Sequence, residues 1–164
     1  MNNKRFALIF LSLLVLSLLL GACVPDAIAT KGAMVFTDDL GNTIELAEYP
    51  QAIVSLSPSS TEILFAIGAG EQIIGRDEYS LYPEEALEVT SVGAMWEDLP
   101  VEAILALEPD LIVVAEIISE DQVIALRELG LNVYWQANPM TYEELWENLR
   151  DIAILTGHEE ETEA

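Results

Sequence analysis

Chemistry at a protein site needs side chains that attack, move protons or bind metal, and this chain holds few of the usual ones. Its single histidine, His158, and its single cysteine, Cys23, leave Cys-His and Ser-His-Asp mechanisms almost without material. No G-x-S-x-G, H-E-x-x-H, Walker A or G-x-G-x-x-G pattern occurs. His158 heads an acidic run and reads as a solvated side chain. Direct capture of zinc or manganese normally uses several His or Cys ligands, which are missing. The adjacent acids Asp77-Glu78 and Glu97-Asp98 could divide acid and base work between them, yet in a chain with 29 Asp and Glu such pairs are ordinarily solvated loop. No catalytic residue and no metal site is expected.

What remains is the chemistry of contact. Tyr79 and Trp96 fall in polar stretches rather than at periodic apolar positions, so their rings suit stacking against a ligand. The turn Ser57-Pro58-Ser59-Ser60 precedes a helical pattern, where backbone N–H groups could meet a ligand; it serves equally well as a plain helix cap. Arg76 is the one cation near these residues. Glu102 stands in the first turn of an expected helix, where a carboxylate favours the helix dipole.

These residues need a scaffold, and the hydropathy pattern supplies one. Residues 34–46 are two short β-prone runs around Asp39-Leu40-Gly41-Asn42, a hairpin signal. Ile53-Val54-Ser55-Leu56 is an apolar strand, followed by the capping-box spacing Ser59-Ser60-Thr61-Glu62 and by Ile63, Leu64 and Ile67 at helical spacing. The same alternation continues with a strand over 72–75, a helix over 100–107, a fully apolar strand over 111–115, and a helix opened by the box Ser119-Glu120-Asp121-Gln122. A strand over 131–135 and a third boxed helix from Thr141-Tyr142-Glu143-Glu144 complete it. Strands alternating with helices predict an α/β fold, Rossmann-like, with a mostly parallel sheet covered on both faces and its ligands at the carboxyl ends of the strands.

The flanks and the charge bound the rest. Lys4-Arg5 precede a charge-free, largely apolar stretch over 6–20 and no acid appears before Asp26, the layout of a secretory signal, short for a spanning helix, with a single-pass anchor as the alternative. It ends in Leu20-Gly21-Ala22-Cys23, which resembles a lipobox, so residues 1–22 read as a signal peptide, Cys23 as a lipidation site, and 23–33 as a tether. The formal charge is -23, and the bases beyond the signal are Lys31, Arg76, Arg127 and Arg150. Nucleic acid is thereby excluded as a partner, because replacing phosphate counterions requires clustered bases.

Taken in order, residues 52–70 (AIVSLSPSSTEILFAIGAG), 74–83 (IGRDEYSLYP), Val92-Gly93 and 101–113 (VEAILALEPDLIV) resemble the iron-chelate and cobalamin substrate-binding proteins of bacterial ABC importers. The resemblance spans roughly residues 34–164. It implies a lipid-anchored, noncatalytic receptor of two α/β lobes joined by a long helix, of which 34–157 would be the amino-terminal lobe and 158–164 the start of the linking helix. The partners it implies are a permease, a small-molecule metal chelate as cargo rather than cofactor, and the membrane, through the anchor, on the extracytoplasmic side. By position it implies ligand contacts at Ser59, Ser60, Arg76, Tyr79 and Trp96, and permease docking at Glu102. Where those receptors carry a further aromatic residue after the strand equivalent to 111–115, this chain has Ala115-Glu116, which makes Glu116 a ligand-facing candidate and departs from the cobalamin pattern. With only Arg76 near the presumed cleft, a neutral corrinoid or cationic chelate fits better than an anionic siderophore or heme. The reading of a different class is a Rossmann-like enzyme domain exported to the envelope.

Overall fold

Val54 and Ile112 face one side of a sheet while Ile53, Leu111 and Val113 face the other, and both sides are covered. The computed structural model describes residues 33–96 and 98–162. The signal segment, Cys23, all of the expected tether but Ala33, and Glu97 lie outside them. Among the described residues no helix is long and apolar enough to cross a membrane.

The hairpin is formed by β1 (Met34–Thr37) and β2 (Thr43–Leu46), antiparallel, with Met34 opposite Leu46. The main sheet comprises β3 (Ile53–Ser55), β4 (Ile73–Asp77), β5 (Thr90–Gly93), β6 (Leu111–Ala115) and β7 (Val133–Gln136), all parallel, in the order β5-β4-β3-β6-β7. Four helices connect or cover them: α1 (Pro58–Ala66), α2 (Val101–Ala106), α3 (Glu120–Glu128) and α4 (Tyr142–Thr156). Side chains alternate across the strands, so α1, α4 and the hairpin residues Ile44 and Leu46 close one core with Ile53, Leu111, Val113 and Tyr134. On the other face α2 and α3 bring Ile104, Val123 and Leu126 against Val54, Ile112, Val114 and Trp135. This is the expected α/β fold with a parallel sheet.

Edge strand β7 is covered by the hairpin turn rather than left open. Asp38, nearly fully buried, pairs with Arg127 and also accepts from the backbone N–H groups of Leu40 (3.1 Å), Asn42 (2.8 Å) and Trp135 (3.4 Å). Asp39 adds its N–H to the Trp135 carbonyl (3.2 Å) and its carboxylate to Ala137 N–H (2.8 Å). Both capping boxes at Ser119/Gln122 and Thr141/Glu144 are formed.

Three local expectations are corrected, and one strand was not anticipated. Helix α1 is capped by Ser57, not by a Ser59–Glu62 box: Ser57 is extended and takes the Ser60 N–H, and Pro58, whose ring fixes a helical φ and which has no N–H to leave unpaired, occupies the first turn. The strand expected over 72–75 runs from Ile73 to Asp77, because a 3-10 turn (Ala69–Gln72) holds Gln72, whose amide donates to the Thr156 carbonyl (3.2 Å), while Arg76 and Asp77 satisfy their polar groups inside the fold. Strand β7 is shifted to include Gln136, whose side chain donates to the Asn148 carbonyl (3.0 Å) and so tolerates burial. Strand β5 was not legible as a strand, since Thr90 and Ser91 are exposed and polar. After the Gly157 cap the chain makes a 3-10 turn, Glu159–Thr162.

Candidate functional site

The carboxyl edge of the sheet gathers the loops that leave β3, β4, β5, β6 and β7. Chain direction reverses its progress across the sheet at β3, with β4 and β5 added on one side and β6 and β7 on the other. A crevice is expected outside the strand ends at such a switch point. There the β3–α1 turn is joined to the end of β6 by Ala115 N–H donating to Ser57 Oγ (3.3 Å).

Tyr79 and Trp96, nominated separately from the sequence, are in contact. Their ring centroids are 5.6 Å apart at an interplanar angle of 68°, an edge-to-face pair. The register explains the meeting: Asp77 at the end of β4 is paired with Gly93 at the end of β5, and Glu78 N–H donates to the Gly93 carbonyl (2.9 Å), so the two loops leave the sheet side by side. Met95 is buried in the core and anchors the β5 loop, which turns its neighbour Trp96 outward. Both rings stay open, at 48% exposure for Tyr79 and 63% for Trp96.

A buried polar network ties the Tyr79 loop to the serine turn. Asp77, 2% exposed, accepts the Tyr79 N–H at Oδ1 (2.7 Å) and the Ser80 hydroxyl at Oδ2. Ser80 Oγ lies 2.8 Å from Thr61 Oγ1, which in turn is 2.8 Å from Ser55 Oγ and 3.1 Å from the Ser57 carbonyl. The chain of hydroxyls therefore runs from β3 through the first turn of α1 to the β4 loop. None of Ser55, Thr61, Asp77 or Ser80 was nominated as part of a contact site from the sequence; Ser and Thr in loops look like surface residues until tertiary structure buries them.

The other nominated residues divide. Ser59 is exposed at the start of α1, whereas Ser60 is buried and its hydroxyl is engaged 2.6 Å from Ser57 Oγ. Arg76 does not reach the open edge: it is 8% exposed, its Nε donates to the Ala86 carbonyl (2.7 Å) and its Nη1 to the carbonyls of Asp77 (2.9 Å) and Glu78 (3.4 Å). A strand-end arginine whose loop folds back over it finds nearer acceptors in backbone carbonyls than in solvent. Glu116 is exposed just past β6 and accepts Asn138 N–H at Oε2 (3.3 Å), joining the β6 and β7 loops. Glu102 is exposed in the first turn of α2, in a shallow groove with Asp98, Leu99 and Pro100. Among the described residues no group of three or more His, Cys, Asp or Glu is placed to hold a metal ion.

Comparison with known proteins gives this arrangement a context. Residues 53–164 match the family described as periplasmic binding protein. The chain is 30% identical to the uncharacterized ABC transporter substrate-binding lipoprotein YvrC of Bacillus subtilis, over 98% of this chain and 54% of that protein. It is 34% identical to a vitamin B12-binding protein of Vibrio cholerae, over 67% of this chain and 40% of that protein. The crystal structure of a periplasmic heme-binding protein from Pseudomonas aeruginosa superposes with a TM-score of 0.63 at 28% identity, over 70% of this chain and 41% of that one. The chain thus spans about half or less of the length of these relatives.

Proposed function

The chain belongs to the periplasmic binding protein family, and on that premise we propose that it acts as the substrate-binding component of an ABC importer, capturing a metal chelate such as a corrinoid, heme or ferric siderophore. The observation that carries the reading is the open edge-to-face pair of Tyr79 and Trp96 at the carboxyl edge of the sheet. Two open rings inclined at 68°, with the Tyr79 loop pinned by a buried network, offer an angled apolar wall on which the exposed face of either ring can stack against a broad conjugated ligand, and they contribute no nucleophilic group. Ser59 and Glu116 border the same edge, while Ser60 and Arg76 hold its loops from within. Glu102 is the candidate for docking on the permease, since it is exposed and lies one loop beyond Trp96. Lipidation of Cys23 would hold the receptor to the extracytoplasmic face of the membrane, with the chelate as cargo. The two vitamin B12-binding and heme-binding relatives support cargo of this size and shape.

The reading is tested by amide NMR of the chain titrated with cyanocobalamin and, separately, with hemin. Shifts are expected at Ser57, Ser59, residues 78–80, residues 94–96, Asp98 and Glu116. Shifts confined to the opposite, amino edge, for instance the groove lined by Pro50, Asp110, Gly130 and Asn132, would overturn it.

A further inference from the structure

The wall built around Tyr79 and Trp96 has an unusual charge inventory. Among the described residues the arginines are Arg76, Arg127 and Arg150, and no lysine occurs. Arg76 directs its guanidinium onto three backbone carbonyls. Arg127 is paired with buried Asp38 and donates to the Val133 carbonyl (2.7 Å) at the start of β7, the edge away from the aromatic pair. Arg150 lies eight residues beyond the start of α4, about 12 Å along the helix. His158 follows the end of α4, next to Gly68 past the end of α1, again at the far edge. No described cation is therefore presented where the two rings are open.

Helix starts could replace side-chain cations as anion sites. Three of the four described helices cap themselves: Ser57 Oγ takes Ser60 N–H, Ser119 Oγ takes Gln122 N–H, and Thr141 Oγ1 takes Glu144 N–H, while α2 has no side-chain cap but is only six residues long and carries Glu102 in its first turn. Carboxylates, by contrast, stand on the same loops and along the same edge. Glu78 precedes Tyr79, Asp98 follows Trp96 by two residues, Glu116 lies just past β6 further along the edge, and all three are exposed. A low-dielectric aromatic surface beside fixed carboxylates repels anionic ligand arms and attracts cationic ones.

We infer that this wall discriminates by charge, accepting chelates that are neutral or cationic on the face turned toward it and rejecting those that present carboxylates. The inference rests on the capture reading above and narrows it. It excludes ligands whose recognition depends on Arg–carboxylate pairs formed with this wall, the usual means of holding propionates or polycarboxylate siderophores. Selectivity then comes from what surrounds the rings rather than from the rings, which stack on any conjugated plane.

The test uses a matched pair of corrins, cationic aquacyanocobinamide and polyanionic dicyanocobyrinate, titrated into the chain at low ionic strength and followed by amide NMR. The cationic corrin is expected to bind at least about tenfold tighter, with shifts at Tyr79 and Trp96, and added salt should narrow the gap because it screens these exposed charges. In the variant carrying Glu78→Lys and Asp98→Lys, both at exposed positions, the preference should shrink or invert while the fold is retained. Equal or tighter binding of the carboxylate corrin, or a preference unchanged in the variant, would overturn the charge inference and leave the capture reading standing. If neither corrin moves the Tyr79 and Trp96 amides, the capture reading fails and the inference with it.

Discussion

Ser80→Ala removes a single buried oxygen and interrogates the network that holds the Tyr79 loop. Ser80 is fully buried and its hydroxyl donates to the Asp77 carboxylate, which is itself 2% exposed. A hydrogen bond to a charged group contributes about 1.5–3 kcal/mol, and the carboxylate oxygen left behind cannot readily rehydrate, so the expected loss is about 2 kcal/mol. Thr61 contributes little to that figure, because its hydroxyl keeps Ser55 Oγ at 2.8 Å and the Ser57 carbonyl at 3.1 Å. Thr61→Val should cost less, about 1 kcal/mol, since the charge-assisted bond survives it. Denaturant melts read both values, and at roughly 3–5 °C per kcal/mol for a domain of this size Ser80→Ala should lower Tm by about 6–10 °C. Near-ultraviolet circular dichroism supplies the second readout: Ser80→Ala should weaken the Tyr79–Trp96 signal, which a loss of general core stability would leave intact in the folded state. A cost below about 0.5 kcal/mol with an unchanged aromatic spectrum would refute the claim that this network positions Tyr79 against Trp96.

Trp96→Ala, at a side chain already 63% exposed, should change stability by no more than about 0.5 kcal/mol while weakening corrin binding between about twofold and tenfold, read by the NMR titration described above. Gly157 caps α4 in the left-handed region at φ 84°, and a Cβ there would come within 2.9 Å of the Tyr49 ring, so Gly157→Ala should destabilise by about 1–2 kcal/mol or more in a thermal melt. Burial, then the nearby Asp39 carboxylate, raises the Asp151 carboxyl above its ordinary value against the opposing pull of Arg150. Its ionisation therefore opposes folding: Asp151→Asn should stabilise the protein at pH 7 by less than about 1 kcal/mol after solvent screening, seen as a raised Tm, and the gain should fade as pH drops through the unfolded-state value of about 3.9 and vanish by about pH 3, where the wild-type acid is neutral in both states. Cys23→Ser should abolish incorporation of labelled fatty acid into the protein expressed with its signal; undiminished labelling would end the lipidation proposal.

How much of this could be read from the chain alone depends on the range over which each feature is decided. Periodicity and caps are local, so the alternation of strands and helices, the boxes at Ser119/Gln122 and Thr141/Glu144, and the β1–β2 hairpin were legible. Ile53-Val54 and Leu111-Ile-Val-Val-Ala115 could only be strands buried on both faces, which already required helices on each side. The polarity of Tyr79 and Trp96's surroundings marked them as contact residues, but nothing in their spacing joined them: the parallel register of Asp77 on Gly93 did that, bringing together loops that 17 positions of sequence separate. Burial of polar groups was equally out of reach. Arg76, Asp77, Ser80 and Thr61 carry the composition of an exposed turn, and only once the β4 loop folds over the start of α1 do they find the carbonyls and hydroxyls that make burial tolerable. Local chemistry thus set which elements form and which side chains could touch a ligand, while the long-range pairing of strands decided which of those side chains face outward together and which turn in to hold the others.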